Sequence, residues 1–251
     1  MKITFLGTCH GYPEKNRDYS SILIEAGGFA YLIDAGAAVT DKLVDRGIGF
    51  DKLRAVFITH IHGDHMLGLL DLIGVINVKH YAPVASVDYY LPEERGVVAV
   101  KNYVEKICTP LNPEKCRFHV YGDGFVYDDG VIRLTAIPTS HLKDKGYPAY
   151  AFVVEAEGKK LLFSGDMSPN LKHGDFPVIA KRERFDIIVC ELAHFDFEVI
   201  RPHLKDCLAE RVYINHVKYP DERIPLLDKE NKSGEFPFEI IGANDGDVVL
   251  L

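Results

Sequence analysis

The side chains of this sequence that can do chemistry are concentrated in one stretch, Ile58 to Leu69, where His60, His62, Asp64 and His65 fall within six positions. Imidazole and carboxylate at that density are metal donors. Three neutral imidazoles and one carboxylate suit zinc best, with manganese or iron also allowed, because geometry and availability decide occupancy alongside affinity. A polar helix cap among scattered surface histidines is the plain alternative, and it leaves the clustering unexplained. Further along, His141, Asp166, Glu191 with His194, and His216 each follow an apolar run. Metal-capable residues repeated at strand ends, on loops held by a rigid scaffold, are what an active site looks like.

The elements that must position these residues can be read from periodicity. Arg54 to Ile58 is a buried strand leading into the cluster, so His60 and His62, two apart in extended chain, point the same way toward one ion. Gly63 permits a tight turn, and Asp64 and His65 then sit at the mouth of a helix, Met66 to Val78, facing a second ion. Lys2 to Leu6, Ser21 to Ala26 and Phe29 to Ile33 read as strands, the last two joined at Gly27-Gly28. Asp34 ends the third of them, either to orient a metal-bound histidine or to cap a helix over Ala37 to Arg46. The segment from Tyr81 to Pro110 is broken by Pro83, Pro92 and Gly96; it reads as a wall over the site, with helices at Ser86 to Tyr90 and Gly96 to Cys108. Strands follow at Phe118 to Tyr121, Phe125 to Tyr127 and Val131 to Pro138, then a hairpin of Tyr150 to Glu155 with Lys160 to Phe163 through Glu157-Gly158. Phe185 to Cys190, a helix at Val199 to Glu210, a strand at Val212 to Asn215, a polar loop at Asp228 to Gly234 and a strand at Val248 to Leu251 complete the chain. No exact repeat, low-complexity tract or linker interrupts residues 1–251, which predicts a single domain.

Bulk properties narrow the classes. A chain of 251 residues with 47% hydrophobic and 26% charged residues has the composition of an ordinary soluble globular protein. Its net charge of −8 gives no general pull toward phosphate backbones or anionic membranes. The five cysteines, Cys9, Cys108, Cys116, Cys190 and Cys207, are odd in number and form no C-x-x-C pair, which suits reduced thiols. The first residues are too soon followed by Glu14, Lys15 and Arg17 for a secretory signal, and no apolar run reaches the roughly 18 residues of a membrane span. A cytoplasmic location is expected, with no membrane partner and a homodimer allowed.

The His60-Ile61-His62-Gly63-Asp64-His65 motif, with His141, Asp166 and His216 following in order, resembles the metallo-β-lactamase superfamily of metal-dependent hydrolases over roughly Met1 to Tyr219. The opening Thr4 to Pro13, with Arg17 and Ser20 to Leu23, is similar to its phosphodiesterase branch, which holds ribonuclease Z and small phosphodiesterases. The resemblance implies an α/β (α+β) fold, a four-layer αββα sandwich with two metals at one edge. It implies that His60, His62 and His141 hold one ion, that Asp64, His65 and His216 hold the other, and that Asp166 bridges them. It also implies that His194 protonates the leaving oxygen; Glu191, three residues earlier, would orient it, although the branch usually sets such an acid farther away.

The expected reaction is hydrolysis of a small or cyclic phosphodiester through a metal-bridging hydroxide, with Asp64 positioning the nucleophile. Transfer RNA is disfavoured. Ribonuclease Z carries its RNA-clamping arm between the matches to His141 and Asp166, which here stand only 25 residues apart. The alternatives are a hydrolase of lactones, thioesters or β-lactams, a ribonuclease Z-like endonuclease, and a non-hydrolytic di-iron or metal-binding protein. The last is disfavoured because His62 stands where di-iron relatives carry an acid. Among other candidates, His10 reads as a solvated loop histidine more than a pocket residue, and His203 as a helix-packing one. His80, His119 and His173 read as surface or satisfied core. Lys143 and Lys145 could draw an anion inward but read as solvated charge, Tyr147 and Tyr150 as hairpin packing, and Phe195 and Phe197 as pocket wall or core.

Overall fold

The computed structural model describes residues 1–107 and 109–251, with Val126 described by its backbone alone. Cys108, the end of one expected helix and one of the expected thiols, lies outside the described residues. The first half of the chain forms β1 (Lys2–Gly7), β2 (Ser21–Ala26), β3 (Phe29–Ile33), α1 (Val39–Asp45), β4 (Leu53–Phe57), α2 (Gly63–Asn77), β5 (Val87–Leu91), α3 (Glu94–Ile107) and β6 (Cys116–Val120). The second half forms β7 (Val126–Asp128), β8 (Ile132–Thr139), β9 (Ala149–Ala156), β10 (Lys159–Phe163), β11 (Phe185–Leu192), α4 (Phe197–Lys205), β12 (Ala209–Val217), α5 (Pro220–Ser233), β13 (Glu239–Gly242) and β14 (Val248–Leu250).

Among the described residues two seven-stranded sheets result, ordered β14-β1-β2-β3-β4-β5-β6 and β13-β12-β11-β10-β9-β8-β7. Alternate residues of the strands face inward: Phe5, Tyr31, Phe57, Phe152 and Phe163 interdigitate between the sheets. The opposite face of the first sheet packs on Leu43, Leu69, Leu72, Ile73 and Val100 of α1, α2 and α3. That of the second packs on Ile200, Leu204 and Leu227 of α4 and α5. The expected αββα layering is therefore the observed one.

Parallel pairing decides where chemistry can sit. β3, β4, β5 and β6 run parallel, as do β10, β11, β12 and β13, so the carboxyl ends of these strands collect at one edge of each sheet. Asp34 follows β3, His60 follows β4, Asp166 follows β10, Glu191 is the penultimate residue of β11, and His216 lies near the end of β12.

Several expected elements are corrected. Ser86 to Tyr90 is not helical: Val87, Tyr89 and Leu91 are buried with Asp88 and Tyr90 less so, the period-two pattern of β5. Asp228 to Gly234 is not a loop but the end of α5, with Gly234 left-handed at its cap. The helix expected to run to Glu210 stops at Lys205, and Ala209 already belongs to β12. Among the described residues, those of 81–107 pack around β5 and α3 on the outer core and do not line the site's cavity.

Candidate metal centre

Local structure brings the first four donors together. After β4 the chain bends at Thr59 and His60, and His62 precedes the first helical residue in extended conformation, with φ −67 and ψ 150. Asp64 and His65 then occupy the first turn of α2, where the carboxylate also suits the positive helix end. α2 lies backbone-to-backbone on the turn after β3. A Cβ on Gly68 would stand 2.1 Å from the Gly36 oxygen, and one on Gly36 would stand 2.6 Å from the Asp64 oxygen. That contact sets Asp34 beside the metal loop.

Four of the five ligand-type histidines are held by one ring nitrogen and present the other. His65 Nδ1 lies 2.7 Å from Asp34 Oδ2, and His216 Nδ1 lies 3.1 Å from the Cys9 oxygen. His141 Nδ1 lies 3.1 Å from the Met167 oxygen. His60 Nδ1 lies 3.1 Å from Thr59 Oγ1, a hydroxyl that is itself 3.0 Å from Asp34 and therefore donates there and accepts from His60. With Nδ1 donating in all four, Nε2 is the nitrogen each ring has left to offer a metal.

Those Nε2 atoms converge on one oxygen. Asp166 Oδ2 is 3.6 Å from His60, 3.5 Å from His65, 3.7 Å from His141 and 3.4 Å from His216. His62 Nδ1 meets His141 Nε2 at 3.2 Å, and Asp64 Oδ2 lies 3.6 Å from His65 Nε2 and 3.7 Å from His216 Nε2. Two donor groups are thus assembled, His60, His62, His141 with Asp166, and Asp64, His65 with His216; a third, Asp166, His194 and His216, overlaps them. The fit to divalent cations has a direct sign: the buried Nε2 atoms of His60 and His65 have no hydrogen-bond partner, although such atoms are costly to leave unpaired.

Electrostatics agree for three of the rings: burial, with the neighbouring His65, pushes His60 well below the ordinary histidine value, and burial likewise lowers His62 and His141, so these are neutral. Burial opposes the charge of His65 too, but Asp166 and Asp34 outweigh it and raise this ring well above the ordinary value. Burial opposes the charge of Asp166, but His216, His65 and His60 outweigh it and hold this carboxyl well below the usual range.

Glu191 stands beside this cluster rather than in it. Its carboxylate accepts from the Met167, Ala193 and His194 amides and lies 2.9 Å from His194 Nδ1. Burial works against a charged His194, yet the Glu191 hydrogen bond and the Glu191 and Asp166 charges raise it to about 9. His194 Nε2 is the nitrogen left for the cavity, a volume of about 590 Å³ bounded by the metal loop and by His10, Tyr12, Lys218 and Tyr219.

His10 therefore lines the pocket instead of standing in solvent, edge-on to His216 at 6.5 Å. His203 packs on Phe176, His119 pairs with Asp88, His173 with Asp144, and His80 is exposed. Phe195 is core, Tyr150 packs on Tyr121, and Lys143 and Lys145 are exposed and outside the cavity lining. Asp34 orients His65 and makes no helix cap; α1 begins at a left-handed Ala38 without a side-chain cap bond.

Sequence reasoning missed Lys218 and Tyr219, which follow His216 directly. It also missed Asp175, whose carboxylate accepts from Ser140 N and from Ser168 N and Oγ, tying together the loops that carry His141 and Asp166.

The sequence profile described as "Anti-Pycsar protein Apyc1" matches residues 1–216. The chain belongs to the Apyc1 family. Ribonuclease Z of Synechococcus sp. (strain CC9311) is 28% identical over 198 residues, covering 76% of this chain and 60% of that protein. The chain thus spans less than two thirds of that relative's length. In three dimensions it resembles the metallo-β-lactamase fold protein YhfI from Bacillus subtilis, with a TM-score of 0.79 at 19% identity over 99% of this chain and 98% of that one. It also resembles the short form of human tRNase Z, with a TM-score of 0.74 at 20% identity over 100% and 99%. The superfamily and the ribonuclease Z-like branch inferred from the motifs are thereby borne out.

Proposed function

We propose that this protein is a metal-dependent hydrolase of small phosphodiesters, cyclic ones included, working with two divalent cations, zinc foremost. The observation that carries the reading is the convergence of four histidine Nε2 atoms on Asp166 Oδ2, beside a histidine, His194, held by its own carboxylate partner. His60, His62 and His141 would hold one cation, Asp64, His65 and His216 the other, and Asp166 would be shared. When bound, such a pair supplies a water acidic enough to attack at neutral pH and neutralises charge on the phosphoryl oxygens.

The chain's own residues supply the rest. Asp64 keeps its Oδ1 to accept a hydrogen bond from the attacking water. His194, with Nδ1 fixed by Glu191, gives a proton on Nε2 to the departing alkoxide. Lys218 offers a cation to the phosphoryl group, and the exposed rings of Tyr12 and Tyr219 offer flat apolar faces at the mouth. Only a short 3-10 turn and the β9–β10 hairpin lie between His141 and Asp166, so no RNA-clamping arm projects there. The cavity volume suits a small ligand. Precursor transfer RNA is the second reading, favoured by the ribonuclease Z relatives. We include in the proposal a cytoplasmic location and an allowance for a homodimer; among the described residues no helix is long and apolar enough to cross a membrane.

The test is a panel of bis(4-nitrophenyl) phosphate, cyclic nucleotides, other cyclic phosphates, lactones, thioesters and precursor transfer RNA on metal-loaded protein. Cyclic or small phosphodiesters should turn over fastest; preference for a carboxylic ester, or for RNA alone, would overturn the reading. His194→Ala should lower kcat on an alkoxide-leaving cyclic phosphate by about 10²–10⁴ while nitrophenolate release and metal content change far less.

A further inference from the structure

The mechanism uses His194 but does not say what fixes the loop that carries it. Glu191 satisfies the amides of that turn from one side. The carbonyls on its other side are satisfied from α5. Arg223 Nη1 donates to the Leu192 oxygen at 2.5 Å and to the Phe195 oxygen at 3.1 Å, while Nη2 donates to Asp196 Oδ1 at 2.5 Å. The guanidinium thus spans the turn whose centre is Ala193-His194. A planar fork with fixed donor directions can hold three acceptors of one loop at once; an ammonium cannot reproduce that arrangement.

α5 is built to hold the fork still. Its far end is tied to β13 by Asn231, which exchanges two hydrogen bonds with the Ile240 backbone at 2.8 and 2.9 Å. Its outer face is tied to α4 by the Glu230–Arg201 pair at 2.6 Å. Its near end starts at Tyr219, a non-glycine residue at φ 55, where the Tyr219 amide donates to Glu14 Oε1 at 3.4 Å. Such a left-handed residue persists when its surroundings over-determine it. The helix is therefore a strut anchored on the second sheet, with its first turns against both the cavity rim and the His194 loop.

We propose that Arg223 is a positioning residue for proton donation: it holds the Leu192–Asp196 turn so that the His194 ring faces the departing oxygen. This rests on the reading of His194 as the proton donor. Small misplacements of a reacting group cost about 10²-fold in rate, and only the step that needs the proton should suffer.

The experiment measures kcat, KM, metal content and thermal melting of metal-loaded wild type, Arg223→Ala, Arg223→Lys, Asp196→Ala and His194→Ala. The two substrates are a 3′,5′-cyclic nucleotide, whose leaving group is an alkoxide, and bis(4-nitrophenyl) phosphate, whose nitrophenolate departs without needing a proton. Arg223→Ala should lower kcat on the cyclic substrate by about 10- to 100-fold, with KM, metal content and nitrophenolate release nearly unchanged. Arg223→Lys should recover part of that loss, and Asp196→Ala, which leaves the carbonyl contacts in place, should cost little. Equal losses on both substrates, or none on either, would overturn the positioning role. If Arg223→Ala does not fold, Arg223→Lys must show the same split or the inference fails. If His194→Ala shows no split, the proton-donor reading fails and this inference falls with it; if His194→Ala shows the split and Arg223→Ala does not, only this inference falls.

Discussion

At the scale of single residues, the site turns on how one carboxylate oxygen is surrounded. Asp166 Oδ2 has four histidine Nε2 atoms within 3.7 Å, and Asp166 is 2% exposed. Replacing it by asparagine removes the charge that makes this crowd of donors tolerable. If two cations bind as proposed, Asp166→Asn is expected to leave one or fewer per chain, with turnover down by at least about 10²-fold. Metal analysis of the purified variant checks this; two retained ions would contradict the shared-ligand role. Tyr219 calls for a different outcome. Tyr219 is 52% exposed and lines the cavity mouth, so Tyr219→Ala should raise KM several-fold with kcat largely kept. The metal-type residues were legible in the sequence because imidazoles and carboxylates at strand ends have few structural reasons to be there. Tyr219, Lys218 and Arg223 were not, because a tyrosine or a basic residue is ordinary on any surface. Their meaning comes from what the turn after β12 and the start of α5 place beside them.

At the scale of elements, the strands were readable and the connections less so. β4, β10 and β11 announce themselves as apolar runs. β5 was misread, although Val87, Tyr89 and Leu91 alternate as a half-buried strand does. α5 was hidden by Pro220, Pro225 and a polar sequence with only Pro220 and Leu227 buried, a helix held by its partners rather than by an apolar stripe. Loops carrying ligands need such partners too. Asp175 joins the His141 loop to the Asp166 loop by three hydrogen bonds of 2.6 to 2.8 Å, and it touches no donor atom itself. Asp175→Ala should therefore weaken metal affinity by about 10- to 100-fold, and activity should return when metal is supplied in excess. A chelator-competition titration measures the affinity; unchanged affinity would remove Asp175 from the support of the site.

At the scale of the whole molecule, the two halves of the chain each build one sheet, save that β14 returns to the first. The fold class followed from motif resemblance, whereas the clasps between sheets could not be read in advance because they join residues far apart in sequence. One such clasp lies at the end of β4 remote from His60. Asp129, in the turn between β7 and β8, accepts from Tyr31 Oη at 2.6 Å, from Arg54 at 3.1 Å and from the Val131 and Ile132 amides. Burial opposes its charge, but those donors push its pKa down to about 2. A carboxyl depressed in the folded state contributes stability that is complete above its unfolded value of about 3.9 and is lost as pH falls toward the folded one. Asp129→Asn should flatten the acid limb of stability between about pH 4 and pH 2, by on the order of 1 kcal/mol after solvent screening; acid unfolding curves report it, and parallel curves for the two proteins would reject it.

At the opposite end of these strands, Asp34 grips His65 directly and His60 through the Thr59 hydroxyl, one ligand from each donor group. A single side chain outside both groups thus sets the stiffness of both. On the two-cation proposal, the ions should consequently load in one concerted step, and Asp34→Ala should break a steep titration into two shallow ones, whereas two independent steps already present in the unaltered protein would show that the halves of the site fill separately.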